Sequence, residues 1–555
     1  MNLKHTIRYY KIIQYVVVVL VLIIGRNLII DALFTFLNIE QKSIYVVGVE
    51  IAIIGVLAFV IFISTRARRY KALTDRAYGK DHAEFNKTYG ELVEFFTTND
   101  KYKMDTDELP IEDWHRADGV ILCKYKDMAG NYRLVKRDSD ANGNLATFGL
   151  PGCGKSTTQA ATTAVRFNAK LKRGGCGVFA ISIKGDLLNF VRGKRKNIKV
   201  FTPDKAEGSC HYNPFDGLAQ MNPTERRTFI ENLSIIVCPD QEGDNSAFFV
   251  NGARDYFCAI AHYLLFLHDT GEREGELRFP EFVQTILASN VFKVTLTIKN
   301  SGCEIAGEYS NSYEGSSEKN VSGIYNHLCK SVRPFNTGAL QTLFDGEGDC
   351  IKPEDLNYGD IYIDVPQDKY QIYAPAMAII ITNFLMAFMR RDDVSSKKKI
   401  VPIMFLLDEA VQLNLDFNLL SQAMSTLRSK KVSLFLLMQS VAQLEGRYGE
   451  AHAREIIDLC AYISVFNAQD PKSREYFQKL VGRRKMLKRS TSLSTTGNTR
   501  STAGANVTTV DEYIFEAADF GDLNIKDEES NELLHRVLVY ANGKYILGET
   551  TPCYQ

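Results

Sequence analysis

Apolar and polar positions divide this chain into two unlike parts. The first 70 residues hold two long apolar stretches, about 12–35 and 44–64. The second carries a single charge, Glu50, in 21 residues. At 1.5 Å per residue that length crosses the roughly 30 Å hydrocarbon layer of a bilayer. The first runs through VVVVLVLII, holds Arg26 and has Asp31 towards its far end. Beyond residue 100 the apolar runs shorten to strand length. Residues 144–148, 176–183, 198–202, 361–365, 402–407, 432–438, 462–466 and 536–540 read as buried strands. Residues 119–125 and 132–137 flank the turn signal DMAGN and read as a hairpin. Helical patterning falls at 157–170, 223–236, 252–268, 280–287 and 418–429. Strands alternating with helices predict an α/β core with a mostly parallel sheet.

Charge orients the apolar pair. Lys4, Arg8 and Lys11 precede the first stretch, and Arg66, Arg68, Arg69 and Lys71 follow the second; only Lys42 lies between. The excess of positive charge on cytoplasmic flanks predicts a two-span hairpin in the inner (cytoplasmic) membrane, with both termini in the cytoplasm. A cleaved signal peptide fits less well, since no A-x-A-like site follows and a second span comes almost at once. Over the whole chain, 66 Lys and Arg balance 66 Asp and Glu. Any nucleic-acid contact must therefore be a local patch. Hydrophobic residues at 45% and charged residues at 24% exclude a wholly disordered or collagen-like chain. Eleven cysteines are scattered without a C-x-x-C pair, which argues against a zinc site and for reduced thiols in a cytosolic body.

The strongest chemical signal is the run Gly149-Leu-Pro-Gly152-Cys153-Gly154-Lys155-Ser156-Thr157. It matches G-x-x-x-x-G-K-[ST], after a short strand and before a helical stretch. Glycines let backbone N–H groups close around phosphates, and the helix N-terminus adds its positive end. Lys155 is placed for the β and γ phosphates of ATP, and the Ser156 hydroxyl for Mg²⁺. Such a loop calls for a second buried strand ending in an acid. Residues 402–407 supply it, followed by Asp408 and Glu409. Asp408 is placed to hold Mg²⁺ through water, and Glu409 to polarise the attacking water as general base. A further apolar strand, 432–438, ends at Gln439, which either senses the γ-phosphate and positions water or simply ends the strand in a polar group. Arg428, between these two strands, is by spacing either an arginine finger acting in trans or a cation complementing a helix C-terminus. The pattern reads as a RecA-like P-loop ATPase core.

Residues 402–449, PIMFLLDEAVQLNLDFNLLSQAMSTLRSKKVSLFLLMQSVAQLEGRYG, resemble the signature of type IV secretion coupling proteins, the TraG/TraD-like ATPases of conjugation. The resembling features are an acid pair ending a strand, a helix ending in R-S, a strand ending in Q-S, and A-Q-L-x-x-x-Y-G. Lys184-Gly185-Asp186 and Asn213-Pro214-Phe215 resemble two further elements of that family. The resemblance implies a membrane-anchored ATPase, a homo-hexamer, which delivers DNA with its relaxase, or effector proteins, to the channel components. It implies that Arg428 is the finger and that Gln439 belongs to the site. It also implies an all-alpha domain inserted in the core, assigned to 216–350. The expected organisation is an anchor (1–70), a stem leading into the core (71–144), a nucleotide-binding domain (145–215 and 351–555) and the insertion. Two departures stand out. Ser182 occupies a position often acidic in the family, and Val411-Gln412-Leu-Asn-Leu415 replaces a turn of small residues.

Lys479, Arg483, Arg484, Lys485, Lys488 and Arg489 precede a Ser/Thr-rich run, 490–509, that reads as a polar linker. The basic cluster is either a solvated face or a contact to phosphate backbones near a central pore. Two other functions fit parts of the pattern. An FtsK/HerA-like DNA translocase shares the nucleotide motifs but lacks the helical insertion. An ATP-binding assembly scaffold needs no general base.

Overall fold

The computed structural model describes residues 107–110, 116–126, 131–171, 175–183, 185–240, 246–313, 315–394, 400–495, 501–526 and 533–550. The expected membrane spans, the stem up to residue 106, Lys184 and the hairpin turn at 127–130 lie outside them. The strands, in chain order, are β1 (Asp107–Pro110), β2 (Val120–Lys126), β3 (Tyr132–Arg137), β4 (Asn144–Phe148), β5 (Val178–Ile183) and β6 (Ile198–Phe201). They continue as β7 (Asp360–Val365), β8 (Ile403–Leu407), β9 (Val432–Met438), β10 (Cys460–Val465), β11 (Arg483–Thr495), β12 (Ser501–Tyr513), β13 (Asn524–Lys526), β14 (Leu533–Ala541) and β15 (Lys544–Thr550).

Among the described residues one thirteen-stranded sheet runs β1-β3-β2-β15-β14-β10-β4-β9-β8-β5-β7-β6, with β13 added beside β14. The block from β10 to β6 is parallel throughout. From β14 outward the pairings turn antiparallel, and the predicted hairpin β2–β3 joins that side. Every residue of β4, β8 and β9 is buried, which explains their mostly apolar sequences, with Asn144, Thr147 and Ser433 as buried polar exceptions.

Alternation along these strands builds two cores. Val178, Ala180, Met404, Leu406, Phe435 and Leu437 face one way, with Ala161, Ala164 and Leu188 of the helices after β4 and β5. Phe179 and Phe405 face the other way, where Phe384 packs at 5.2 Å from Phe179 and Phe388 at 5.9 Å from Phe405. Both phenylalanines belong to the helix Tyr370–Met389. Among the described residues this is the one helix long and apolar enough to cross a membrane, yet 72% of its apolar window is buried in the fold. Its apolar character all round reflects burial between other layers.

Between β6 and β7 the chain is helical, from Pro223–Val237 and Ser246–Asp269 to Gly338–Leu343. β11 and β12 pair in a separate two-stranded sheet, so much of the run expected to be a linker at 490–509 is strand instead. Its threonines suit a pleated backbone, and polar composition does not prevent ladder hydrogen bonding. The side chains of 484–510, and with them most of the basic cluster, lie outside the described residues.

Candidate nucleotide-binding site

Topology assembles the site. In the order β4-β9-β8, the middle strand inserts between the one that carries the glycine-rich loop and the one that ends in the acids. All three are parallel, so Gly149, Gln439 and Asp408 emerge side by side at the carboxyl edge, where open α/β sheets bind ligands. The start of the loop is tied to segments on either side: Gly149 N–H donates to the Met438 carbonyl at 3.2 Å, and Leu150 N–H to the Asn467 carbonyl at 3.1 Å. Gly149 must be glycine, because a Cβ there would stand 2.6 Å from Cys153 Sγ and 2.7 Å from Phe466 Cβ. Gly152 and Gly154 hold φ of 79° and 99°, conformations that favour glycine.

Beyond the loop the helix opens with a wide turn, Ser156–Ala160. Gln159 anchors it from within the core. Its Oε1 accepts from Thr147 Oγ1 at 2.7 Å, and its Nε2 donates to the Leu122 carbonyl at 2.7 Å and to Ser464 Oγ at 3.0 Å. A buried amide satisfied on both ends fixes one rotamer and one helix placement.

The loop and the acids enclose a cavity of about 560 Å³. Lys155 is buried, and its Nζ donates to the carbonyls of Gly149 and of Leu150, the latter at 3.0 Å. Ser156 Oγ donates to Asp408 Oδ2 at 2.8 Å, across 252 residues of sequence. Burial pushes the Asp408 carboxyl above the usual range, against the opposing pull of the Ser156 hydroxyl and the Lys155 ammonium. The Asp408 carbonyl accepts from the Tyr370 hydroxyl at 3.0 Å, so the helix after β7 braces the acidic turn. Glu409 sits at φ 49°, ψ 43°, a left-handed conformation rare for a residue with a side chain. The turn swings its carboxylate towards Gln439, whose Nε2 lies 3.0 Å from both oxygens.

A serine hydroxyl beside a carboxylate is the donor set of a hard divalent cation such as Mg²⁺, and both groups stand here in contact. Gly152, Gly154, Lys155, Ser156, Thr157, Asp408, Glu409 and Gln439 therefore share one cavity. Cys153 is buried inside the loop, and burial pushes its thiol up, which leaves it protonated. Arg428 is not part of this constellation. It is exposed, in the turn Leu427–Lys430 that enters β9 at the opposite edge of the sheet.

Several lining residues were not assigned to the site from sequence: Gln367, Tyr370 and His535, together with Asp186 of the Lys184-Gly185-Asp186 element and Gln412 of the departing segment. His535 is the third residue of β14, which runs antiparallel to β10 and so begins at the carboxyl edge of the parallel strands. A Cβ at Gly154 would touch its ring at 3.2 Å. The ring is 6% exposed, its Nδ1 finds no partner among the described residues, and burial lowers its pKa, keeping it neutral. Its only sequence signal was a place one residue ahead of an apolar run. Gln412 lies in the segment that departs from the family pattern.

Residues 104–512 match the family described as type IV secretory system conjugative DNA transfer. The type IV secretion system-coupling protein VirD4 of Bartonella quintana is 22% identical over 308 residues, which make up 53% of this chain and 46% of that protein. Protein VirD4 of Rhizobium rhizogenes is 24% identical over 343 residues, 57% of this chain and 47% of the relative. The chain thus spans about half the length of the curated relatives it matches. Among solved structures, the bacterial conjugative coupling protein TrwBdeltaN70 in its unbound monoclinic form superposes with a TM-score of 0.58 at 15% identity, covering 81% of this chain and 94% of that one. TrwB in complex with the non-hydrolysable ATP analogue ADPNP gives 0.57 at 15% identity, covering 81% and 94%. These likenesses establish the fold.

Proposed function

This chain belongs to the type IV secretory system conjugative DNA transfer family, and on that premise we propose that it is the ATP-hydrolysing coupling protein of a type IV secretion channel. In this reading it is anchored by residues 1–70 in the inner membrane and assembles as a homo-hexamer. It brings a DNA–relaxase complex or effector proteins to the channel and drives their transfer. Residues 216–350 form the inserted all-alpha domain of the reading, between two parts of the nucleotide-binding domain. The observation that carries the chemistry is the contact of Ser156 Oγ with Asp408 Oδ2, at 2.8 Å, beside Lys155 and Glu409 in one cavity.

Ser156 and Asp408 would hold Mg²⁺, which supplies charge neutralisation for the phosphates when bound. Lys155 binds the phosphates once its Nζ turns from the Gly149 and Leu150 carbonyls that hold it in the free site. The N–H groups of Gly154, Lys155, Ser156 and Thr157, at the start of the helix, would meet the same phosphates. Glu409, one residue beyond Asp408, takes the proton from the attacking water, and Gln439 orients its carboxylate. Arg428 is too far from its own site to serve it and completes the site of a neighbouring copy. An FtsK/HerA-like translocase would lack the helical segment between β6 and β7, and a scaffold would have no need of Glu409.

The test is Mg²⁺-dependent ATP hydrolysis by the full chain in lipid nanodiscs, with transfer measured in cells. Lys155→Ala should abolish both and leave membrane insertion intact. Transfer at the wild-type level by this variant would remove the ATPase reading.

A further inference from the structure

Glu409 is held by more than Gln439. Gln412 Nε2 reaches Glu409 Oε2 at 3.4 Å, and both inner amides are held in turn from outside. Gln443 Nε2 donates to Gln439 Oε1 at 3.0 Å, and Gln371 Nε2 donates to Gln412 Oε1 at 3.0 Å. Four glutamines thus make two arms that end on one carboxylate. The inner pair lines the cavity. The outer pair is exposed, Gln443 on the helix Val441–Tyr448 and Gln371 on the helix Tyr370–Met389.

A carboxamide has one end that donates and one that accepts. Once an outer glutamine donates to its oxygen, the inner amide can offer the carboxylate only its Nε2. Without that donor the inner amide is held by the carboxylate alone, and each turn sets a carbonyl oxygen against the carboxylate. The outer glutamines therefore add to the hold on orientation at the centre. We propose that Gln443 and Gln371 are positioning residues for Glu409, acting through Gln439 and Gln412 to aim the carboxylate at the attacking water. The proposal rests on the reading of Glu409 as general base.

Gln443 is exposed, so its substitution tests polarity without disturbing the core. In full-length protein at high salt, where surface charge is screened, Gln443→Lys keeps a donor towards Gln439. Gln443→Met keeps the length and loses the donor, and Gln443→Glu offers only acceptors. The expected order of kcat is wild type and Gln443→Lys highest, then Gln443→Met, then Gln443→Glu, the last reduced roughly tenfold, the scale of losing one oriented hydrogen bond in the transition state. KM and nucleotide affinity should not change. In a Glu409→Gln background Gln443→Glu should have no further effect. Equal activity across the series, equal damage by Lys and Glu, or an undiminished effect in the Glu409→Gln background would overturn the proposal. Two failures are distinguishable. A flat Gln443 series with an inactive Glu409→Gln defeats only the glutamine arms. A Glu409→Gln protein that hydrolyses ATP at the wild-type rate defeats the general-base reading and the arms together.

Discussion

Arg428 offers the sharpest test of assembly. It sits in the turn that leads into β9, exposed, with no side-chain partner among the described residues. β9 has seven residues and runs parallel to β4, so Arg428 and Lys155 lie at opposite edges of the sheet. At about 3.3 Å per residue the strand alone separates them by roughly 20 Å, several times the reach of an arginine side chain. Within one copy Arg428 cannot stabilise charge at the phosphates. If it acts at all in hydrolysis, it acts on a neighbour. Arg428→Ala should then lower turnover by roughly 10³-fold, about 4 kcal/mol of transition-state stabilisation, with little change in ATP affinity. The assay mixes Arg428→Ala protein with Lys155→Ala protein, each inactive alone. In a ring of head-to-tail interfaces, random one-to-one assembly pairs an intact Lys155 with an intact Arg428 at about a quarter of the boundaries. Recovery should approach that fraction of the wild-type rate and fall on dilution. A mixture shown to co-assemble that stays as inactive as its parents would refute the trans finger and leave Arg428 as a cation complementing the end of a helix.

Four further outcomes follow from the sequence and structure. Glu409→Gln should bind ATP like wild type and hydrolyse it orders of magnitude more slowly, as read by equilibrium binding against single-turnover hydrolysis; equal loss of binding would make Glu409 structural. Gly149→Ala should destabilise the core by about 1–3 kcal/mol and weaken nucleotide binding, because its Cβ has no room against Cys153 and Phe466; a thermal-shift series measures both. His262, 5% exposed, has its pKa lowered to about 4, first by burial and then by Arg227 and Arg226. Its contribution to stability is present above pH 6.5 and is lost as pH falls to about 4, on the order of 3 kcal/mol in all, because the unfolded chain takes up the proton first; His262→Gln should flatten that part of the denaturation profile. Reporter fusions after Lys71 should read cytoplasmic and a tag near Ile39 should be reached from outside, as the flanking charges require.

Periodicity and local chemistry carry much of this protein on their own. A strand covered on both faces is mostly apolar, so β4, β8 and β9 announced themselves, and with them the acids and the amide at their ends. A phosphate loop is a contiguous motif, because one turn must supply the glycines, the lysine and the hydroxyl together. What periodicity could not supply was neighbourhood. That β9 lies between β4 and β8, and so brings Gln439 onto Glu409, is a matter of strand order, which no local pattern encodes. His535 reaches the loop because β14 runs antiparallel to its neighbour and begins where the others end. Gln443 stood out only as part of a family signature and Gln412 only as a departure from one, and Gln371 carried no signal; that three separate segments converge on one carboxylate is seen only in the fold. The ribbon of β11 and β12 was hidden for a different reason: a polar sequence without an apolar face leaves no period to read, while its backbone can still pair. Local order is set by short-range sterics and burial period. The site is set by which edges and ends the tertiary fold brings together, and that is decided by contacts hundreds of residues apart in sequence, such as the one between Ser156 and Asp408.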